Sequence, residues 1–171
     1  GSGDVTTDLV EPYSLAEATL ISHDNAILCG IDWFNEVFNQ LDNSIEIKWL
    51  ANDGEKIKSS QTICNLHGPI HSILSGERTA INFLQLLSGV STNVAAFVSR
   101  IKNTKTKILD TRKTIPGLRY AQKYAVTVGG GINHRKGLYD EVLIKENHIS
   151  ASGSIEKTIE KAKEKGLPIT I

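Results

Sequence analysis

From about residue 75 onward, the sequence alternates between helix-forming segments and short apolar runs, and this order constrains the fold more than any other feature. Apolar residues recur at helical spacing in SGERTAINFLQLLSG, STNVAAFVSRI and SIEKTIEKAKEKG. We expect Ser91 to cap the second of these helices, and a further helix to run from Pro116 to the triple glycine. Between the helices, TKIL, EVLI and LPITI have the pattern of short buried strands. This alternation is typical of parallel sheets and α/β barrels, so we predict an α/β fold.

The first 75 or so residues show a different pattern. AILC is a strand-like run, IEIKWL and QTICNL are predicted strands, and NDGE between them supplies a turn. Apolar residues between Ile31 and Leu41 fall on one face of a helix. We therefore predict a small antiparallel sheet packed on a helix, an α+β arrangement.

Composition excludes several classes of function. Nineteen basic residues balance nineteen acidic ones, so the formal net charge is zero, and aromatic residues make up 6% and do not interleave with the basic ones. This argues against nucleic-acid binding, which favours a basic face with stacking aromatics. Cys29 and Cys64 lie far apart in apolar surroundings, which predicts buried thiols in a reducing compartment. We find no uninterrupted apolar run of about 18 residues and no signal-peptide pattern, and so expect a cytoplasmic protein without a membrane segment.

Both ends of the sequence look cut. There is no methionine at position 1 or elsewhere, and the last residues, LPITI, read as the inside of a strand. We therefore expect this chain to be a piece of a longer protein.

Cationic side chains follow two of the predicted strands at the point where each strand ends. Arg112 and Lys113 come shortly after TKIL, and Lys145 follows EVLI directly. His134 and Arg135 follow the triple glycine, whose backbone could approach a ligand and present N–H donors. Since the loops at the carboxyl ends of barrel strands build the active site, these cations should share one pocket. Arginine forks and lysine ammonium groups in such numbers predict an anionic ligand.

Other polar residues carry weaker signals. The triple glycine is more readily explained as a helix stop than as a phosphate cradle, and it matches neither a P-loop nor GxGxxG. The spacing of the remaining histidines suits no zinc site. We expect solvated surface positions for Lys123, Lys136 and Arg119, and loop or hydrogen-bonded core positions for His23, His67 and His71.

Four segments resemble the quinolinate phosphoribosyltransferase family: GSGDVTTDLV, SGERTAINFLQLLSGVST, KILDTRKTIPGLRYAQKYAV and GGGINHRKGLYDEVLIKENHI. They span nearly the whole chain in the family's order. The resemblance implies an N-terminal open-faced sandwich with a linking helix over residues 1–88. It also implies the first part of an incomplete α/β barrel over residues 89–171.

The resemblance also implies a pentosyltransferase reaction. Quinolinate and phosphoribosyl pyrophosphate would give nicotinate mononucleotide, pyrophosphate and carbon dioxide, with Mg²⁺, in de novo NAD biosynthesis. Lys113 and Lys145 would be catalytic. The substrate-binding residues would be Arg78, Thr111, Arg112, Lys113, His134, Arg135 and Lys145. The family is usually a dimer in which Arg78 would reach the neighbouring subunit's site, so we expect a homodimer or higher oligomer.

The family's acidic residues near the ribose and the metal lie beyond the stretch matched here. We therefore expect no protein ligands to Mg²⁺ within this chain, and no turnover by the 171-residue chain alone. Three alternatives remain open at this point: a nicotinate phosphoribosyltransferase-like enzyme, a transport-associated paralogue, and a non-catalytic assembly module whose cations serve subunit contact.

Overall fold

The computed structural model describes residues 4–11 and 14–171, so the first three residues of the GSGDVTTDLV segment lie outside it. After a short 3-10 helix, Thr7–Leu9, the elements in chain order are β1 (Leu15–Ile21), β2 (Ala26–Ile27), α1 (Ile31–Leu41), β3 (Glu46–Trp49), β4 (Lys56–Ile57), β5 (Thr62–Pro69), α2 (Ile70–Ile101), α3 (Arg119–Val128), β6 (Val142–Leu143), α4 (Glu146–Ser152), α5 (Ile155–Lys163) and β7 (Ile169–Thr170).

The N-terminal half is an antiparallel sheet with one face covered by helices. The strand order is β1-β5-β3, and a second small sheet pairs β2 with β4. Phe34 and Phe38 lie one helical turn apart on α1 and are buried against Cys64 and Leu66 of β5. The opposite face carries exposed side chains such as Glu17 and His67, which occupy paired positions on β1 and β5. The predicted small antiparallel sheet packed on a helix is confirmed.

Helix α2 is a single helix, so the prediction of two helices with a cap at Ser91 is wrong. Ser91 is fully buried, and its hydroxyl donates a hydrogen bond to the carbonyl oxygen of Ala125 in α3 (2.8 Å). The serine therefore joins two packed helices, and no proline interrupts the backbone hydrogen bonds nearby. The predicted domain boundary between residues 88 and 89 falls inside this helix and stays a prediction.

By length and composition alone, α2 could cross a membrane, since an 18-residue window reaches a mean hydropathy of 1.4. Polar residues interrupt the apolar residues of this helix, so no uninterrupted apolar run marks it in the sequence. A core helix meets the same two criteria, and α2 packs against α1, α3, β2 and β5.

The C-terminal half alternates strands and helices, as predicted for an α/β fold. Strands β6 and β7 pair in parallel, and Leu109 of TKIL forms a single parallel bridge with Ile132. The predicted TKIL strand is therefore shorter than expected. Helix α3 begins at Arg119 and not at Pro116, because Gly117 turns the chain with φ +80° just before it. Helix α4, directly after Lys145, is an element that the sequence analysis did not predict.

The triple glycine ends α3, as predicted, through local hydrogen bonds and a close contact with α2. The N–H groups of Gly129, Gly130 and Gly131 donate to carbonyl oxygens of Ala125, Thr127 and Val126 respectively, so they are not offered to a ligand. Gly130 adopts φ +88°, which favours glycine. A Cβ on Gly129 would lie 2.5 Å from the carbonyl oxygen of Ser91, so α2 and α3 approach each other through this position.

Lys123 was predicted to be solvated, and this is wrong. It is only 2% exposed, and its ammonium group forms an ion pair with Asp110, whose side chain is 6% exposed. The same ammonium group donates to the carbonyl oxygen of His134 (2.9 Å). A helix-surface position becomes a core position here because the loop after TKIL folds over α3. Lys136 is exposed, as predicted, and Arg119 is half-buried.

Replacing Lys123 by methionine should lower the free energy of unfolding by about 3–5 kcal/mol, because the buried Asp110 carboxylate would lose its partner. Urea unfolding measures this, with Lys161→Met, an exposed position on α5, as the matched control. A loss below about 1 kcal/mol, the usual range of surface pairs, would contradict the burial of this pair.

Replacing Gly129 by alanine should cost about 1–3 kcal/mol, since the added methyl group meets backbone that has to move. Gly89→Ala is the control, because Gly89 lies in α2 with nothing within 4 Å of an added Cβ. There, alanine should stabilise by about 0.5–1 kcal/mol through helix propensity. Equal effects at the two positions would show that α2 and α3 are not in close contact at Gly129.

Candidate functional site: a cationic cavity at the ends of two strands

One cavity of about 370 Å³ gathers six of the seven predicted site residues. Its lining combines the loop after Leu109, the segment after the triple glycine and the end of β6. The residues are Leu109, Asp110, Thr111, Arg112, Lys113, His134, Arg135, Leu143 and Lys145. The predicted convergence of the cations at the ends of neighbouring strands is confirmed as geometry. Their roles in substrate binding and catalysis stay a prediction.

Most of these cations have no acidic partner. Among the described residues, the ion pairs are Lys123 with Asp110 and His134 with Glu141. Arg112, Lys113, Arg135 and Lys145 form none within that part of the chain. The Nε atom of Arg112 is buried and has no hydrogen-bond partner there, which is costly for a guanidinium unless a ligand accepts from it. The cavity is therefore strongly positive and carries an unused buried donor.

Asp110 fixes the two segments that form the cavity wall. Its Oδ1 accepts from the backbone N–H of His134 (2.9 Å) as well as from Lys123. The side-chain amide of Asn133, oriented by its hydrogen-bond environment, donates to Oδ2 of Asp110 (2.6 Å) and to the carbonyl oxygen of Lys123 (2.9 Å). One carboxylate thus sets the position of Arg112 and Lys113 relative to His134 and Arg135.

Asp110, Lys123 and Asn133 are site positions that the sequence motifs did not reveal. The sequence does carry a signal for Asp110, which stands between an apolar run and two cations. An acidic residue at such a position either faces the cations or is buried with a partner. Sequence alone did not identify Lys123 as that partner, because it lies thirteen residues further on.

The remaining contacts shape the loops around the cavity. The hydroxyl of Thr111 accepts from the N–H of Lys113 (3.0 Å), so here it stabilises the turn that carries the cations. Arg119 donates to the carbonyl oxygen of Lys136 (3.1 Å). Asp140 accepts from the N–H groups of Lys136 and Gly137, and these two bonds lower the pKa of Asp140.

Lys145 owes its position to strand pairing. The N–H of the buried Ile144 donates to the carbonyl oxygen of Thr170 (2.8 Å), which keeps the chain in the sheet up to the residue before Lys145. The N–H of Lys145 then donates to Nδ1 of His148 (3.0 Å), and α4 begins at Glu146. The lysine therefore stands at the carboxyl end of β6.

Arg78 is not brought to this cavity within one chain. It is exposed on α2 and lines a separate groove of about 700 Å³, together with residues of β1, β2 and α2. Within one chain, Arg78 therefore does not line the cation cavity.

The other candidate nucleophiles and ligands have structural roles or stand alone. Cys29 and Cys64 are free and buried, and burial raises the pKa of their thiols to about 11 and about 12, so neither is a thiolate at neutral pH. His71 contacts the carbonyl oxygen of Val10 (2.7 Å), and His23 and His67 are exposed. Within residues 4–11 and 14–171, no group of three histidine, cysteine or acidic side chains could hold a metal ion.

Comparison with known proteins gives the family. The family model described as "Quinolinate phosphoribosyl transferase, N-terminal domain" matches residues 4–88, and its C-terminal counterpart matches residues 90–169. A probable nicotinate-nucleotide pyrophosphorylase (carboxylating) of Bacillus subtilis is 41% identical over 164 residues, covering 96% of this chain and 57% of the relative. A quinolinate phosphoribosyltransferase (decarboxylating) of Nicotiana tabacum is 40% identical over 158 residues, covering 92% and 45%.

Solved structures agree. The nicotinate-nucleotide pyrophosphorylase of Francisella tularensis superposes with a TM-score of 0.92 at 52% identity, covering 95% of this chain and 58% of that one. NadC of Streptococcus pyogenes gives 0.92 at 37%, covering 96% and 59%. The chain thus spans about half of the length of these relatives. These comparisons show that the chain belongs to the quinolinate phosphoribosyltransferase family.

Proposed function

We propose that the protein containing this chain transfers a phosphoribosyl group from phosphoribosyl pyrophosphate to quinolinate, with loss of carbon dioxide. The products would be nicotinate mononucleotide and pyrophosphate, the reaction on the de novo route to NAD. The observation that carries the proposal is the cavity itself, in which Arg112, Lys113, Arg135 and Lys145 meet without acidic partners among the described residues.

The charge of the ligands explains the charge of the cavity. Quinolinate carries two carboxylates, and phosphoribosyl pyrophosphate adds several more negative charges. Two like charges about 4 Å apart repel by about 4 kcal/mol at an effective dielectric constant of 20. Fixed cations on both sides of the ligands would remove this repulsion. The planar guanidinium of Arg112, whose Nε has no hydrogen-bond partner among the described residues, suits a carboxylate of quinolinate.

The reaction needs positioning more than proton transfer. The pyridine nitrogen attacks the anomeric carbon of the ribose as pyrophosphate leaves, through a transition state with oxocarbenium character. Loss of carbon dioxide then leaves the electron pair of the broken bond on the ring carbon, where the adjacent quaternary nitrogen stabilises it, and solvent supplies the proton that this carbon takes up. We assign Arg112, His134 and Arg135 to quinolinate, with Thr111 shaping the loop. Lys113 and Lys145 would be the catalytic residues that stabilise the developing negative charge.

Mg²⁺ would accompany phosphoribosyl pyrophosphate and help to neutralise its pyrophosphate group. Among the described residues, no group of three histidine, cysteine or acidic side chains could hold a metal ion, and we assign none of them to Mg²⁺.

A homodimer would complete the site. Arg78 is exposed on α2 and lies in a groove away from its own chain's cation cavity, which supports donation of this arginine to a neighbouring copy. We also propose a cytoplasmic location, since the two cysteines are buried and free, as is usual in a reducing compartment.

Turnover tests the function directly. A protein with this sequence extended to the full length of its relatives should form nicotinate mononucleotide from quinolinate and phosphoribosyl pyrophosphate, as measured by chromatography. Nicotinate in place of quinolinate should give little product, because a single carboxylate leaves part of the cavity charge unmatched. We expect the 171-residue chain alone to give no turnover. Preference for nicotinate, or no product from the full-length protein, would contradict the proposal.

Replacing Arg112 by alanine should raise the KM for quinolinate about 10- to 100-fold, the effect of losing charge-assisted hydrogen bonds worth about 1.5–3 kcal/mol. Arg112→Lys should recover part of this loss, since it keeps the charge but not the fork. Lys136→Ala, which removes an exposed cation near the site, is the control and should change KM less than twofold. Steady-state kinetics at saturating phosphoribosyl pyrophosphate would show whether Arg112 differs from this control.

A further inference from the structure

The imidazole of His134 is held from behind by two oxygen atoms. Its Nε2 lies 2.9 Å from Oε1 of Glu141 and 3.2 Å from the hydroxyl oxygen of Thr170. That hydroxyl also lies 2.6 Å from the same carboxylate oxygen. The His134 and Glu141 side chains are 14% and 16% exposed, so water competes poorly for these contacts. His134 lines the cation cavity, whereas Glu141 and Thr170 stand behind it.

These contacts decide which ring nitrogen carries the proton. An ionised carboxylate can only accept hydrogen bonds, and Thr170 donates its single hydroxyl proton to Glu141. Both neighbours of Nε2 are therefore acceptors, and Nε2 must be the donor. In a neutral ring, Nδ1 then carries a lone pair, and it makes no hydrogen bond to the described residues.

His134 lines a cavity for anions, and a lone pair on Nδ1 would repel a carboxylate that approaches this atom. The ring can donate to an incoming carboxylate only if Nδ1 gains a second proton. The imidazolium would then lie between two carboxylates, that of the ligand and that of Glu141. Such an arrangement stabilises the charged ring from both sides.

We propose that Glu141, supported by Thr170, is a positioning residue that fixes the Nε2–H form of His134 and makes binding of an anionic ligand take up a proton at Nδ1. The proton comes from solvent. This inference deepens the proposed function, because quinolinate is the ligand used to probe it.

Several other charged groups lie around His134. Arg112, Lys113, Arg135 and Lys145 line the same cavity, so an anionic ligand bound there would lie among these cations as well as beside the ring. Asp110, which accepts from the backbone N–H of His134, has its carboxylate neutralised by Lys123. Glu141 is therefore the acid that directly contacts the ring, and the ligand supplies the second negative charge.

Calorimetry of the full-length protein tests the coupling. Quinolinate is titrated at about pH 8, above the ordinary titration range of histidine, in two buffers with different ionisation enthalpies. The wild type should take up close to one proton per quinolinate bound. Glu141→Gln keeps an acceptor for Nε2–H but loses the charge. The quinolinate affinity of Glu141→Gln should fall about tenfold at about pH 8. It should return toward that of the wild type at about pH 6, where a histidine can be protonated without a neighbouring carboxylate.

Two further variants, Glu141→Ala and Glu160→Gln, are titrated with quinolinate in the same way. The alanine variant frees the neutral ring to carry its proton on Nδ1 and to donate it to the ligand, so it should bind quinolinate with little proton uptake. Glu160 is exposed on α5, and Glu160→Gln should match the wild type in affinity and proton uptake. Equal quinolinate affinities of the wild type and Glu141→Gln at both pH values, or binding by the wild type without proton uptake, would overturn the inference.

A readout without ligand separates this inference from the proposed function. Nitrogen-15 spectra of the free protein should show His134 protonated at Nε2 in the wild type and a mixture of ring forms in Glu141→Ala. If quinolinate gives no heat with the wild type, the proposed function fails. The spectra then decide the role of Glu141 alone, and a wild-type ring protonated only at Nδ1 would refute it.

Discussion

The cation cavity depends on one buried carboxylate. Asp110 accepts from Lys123, from the backbone of His134 and from the amide of Asn133, so it joins α3 to both loops of the cavity wall. Without such a tie, two short loops that carry several like charges would move apart. An ion pair with little access to water is costly to bury but also costly to break. The protein therefore places a neutralised pair beneath the site, whereas the cations above it form no ion pair with the residues that the structure describes.

The contrast between paired and unpaired cations is what distinguishes a binding site from a structural network. Lys123 has its charge and its donors satisfied by Asp110 and the carbonyl oxygen of His134. Arg112 keeps a buried Nε without a partner among the described residues. The first arrangement is complete without a ligand, and the second is not. A ligand with two carboxylates would supply the missing acceptors.

The two halves of the structure meet along α2, which serves both. Near its start, Ile73, Ala80 and Leu84 pack in the sheet core, and further along Leu87 packs with Cys29 and Ala121. Gly129 lets α3 approach this helix closely, and Tyr124 of α3 donates to the carboxylate of Asp53 in the N-terminal half (2.8 Å). The loop before α3 carries the cations, so their placement also rests on the packing of α2 against α3.

The class of fold, the helices with clear apolar periodicity and the convergence of cations after strands can be predicted from the amino-acid sequence, because these features follow from local spacing and from strand direction. The unbroken course of α2, the burial of Lys123 and the pairing of His134 with Glu141 and Thr170 result from tertiary packing. Each of these features depends on which distant segments pack together. Lys123 and Asp110 are separated along the sequence but in contact in the structure, and so are Thr170 and His134. A lysine on a helix is solvated unless a loop folds over it, and local sequence does not carry that information.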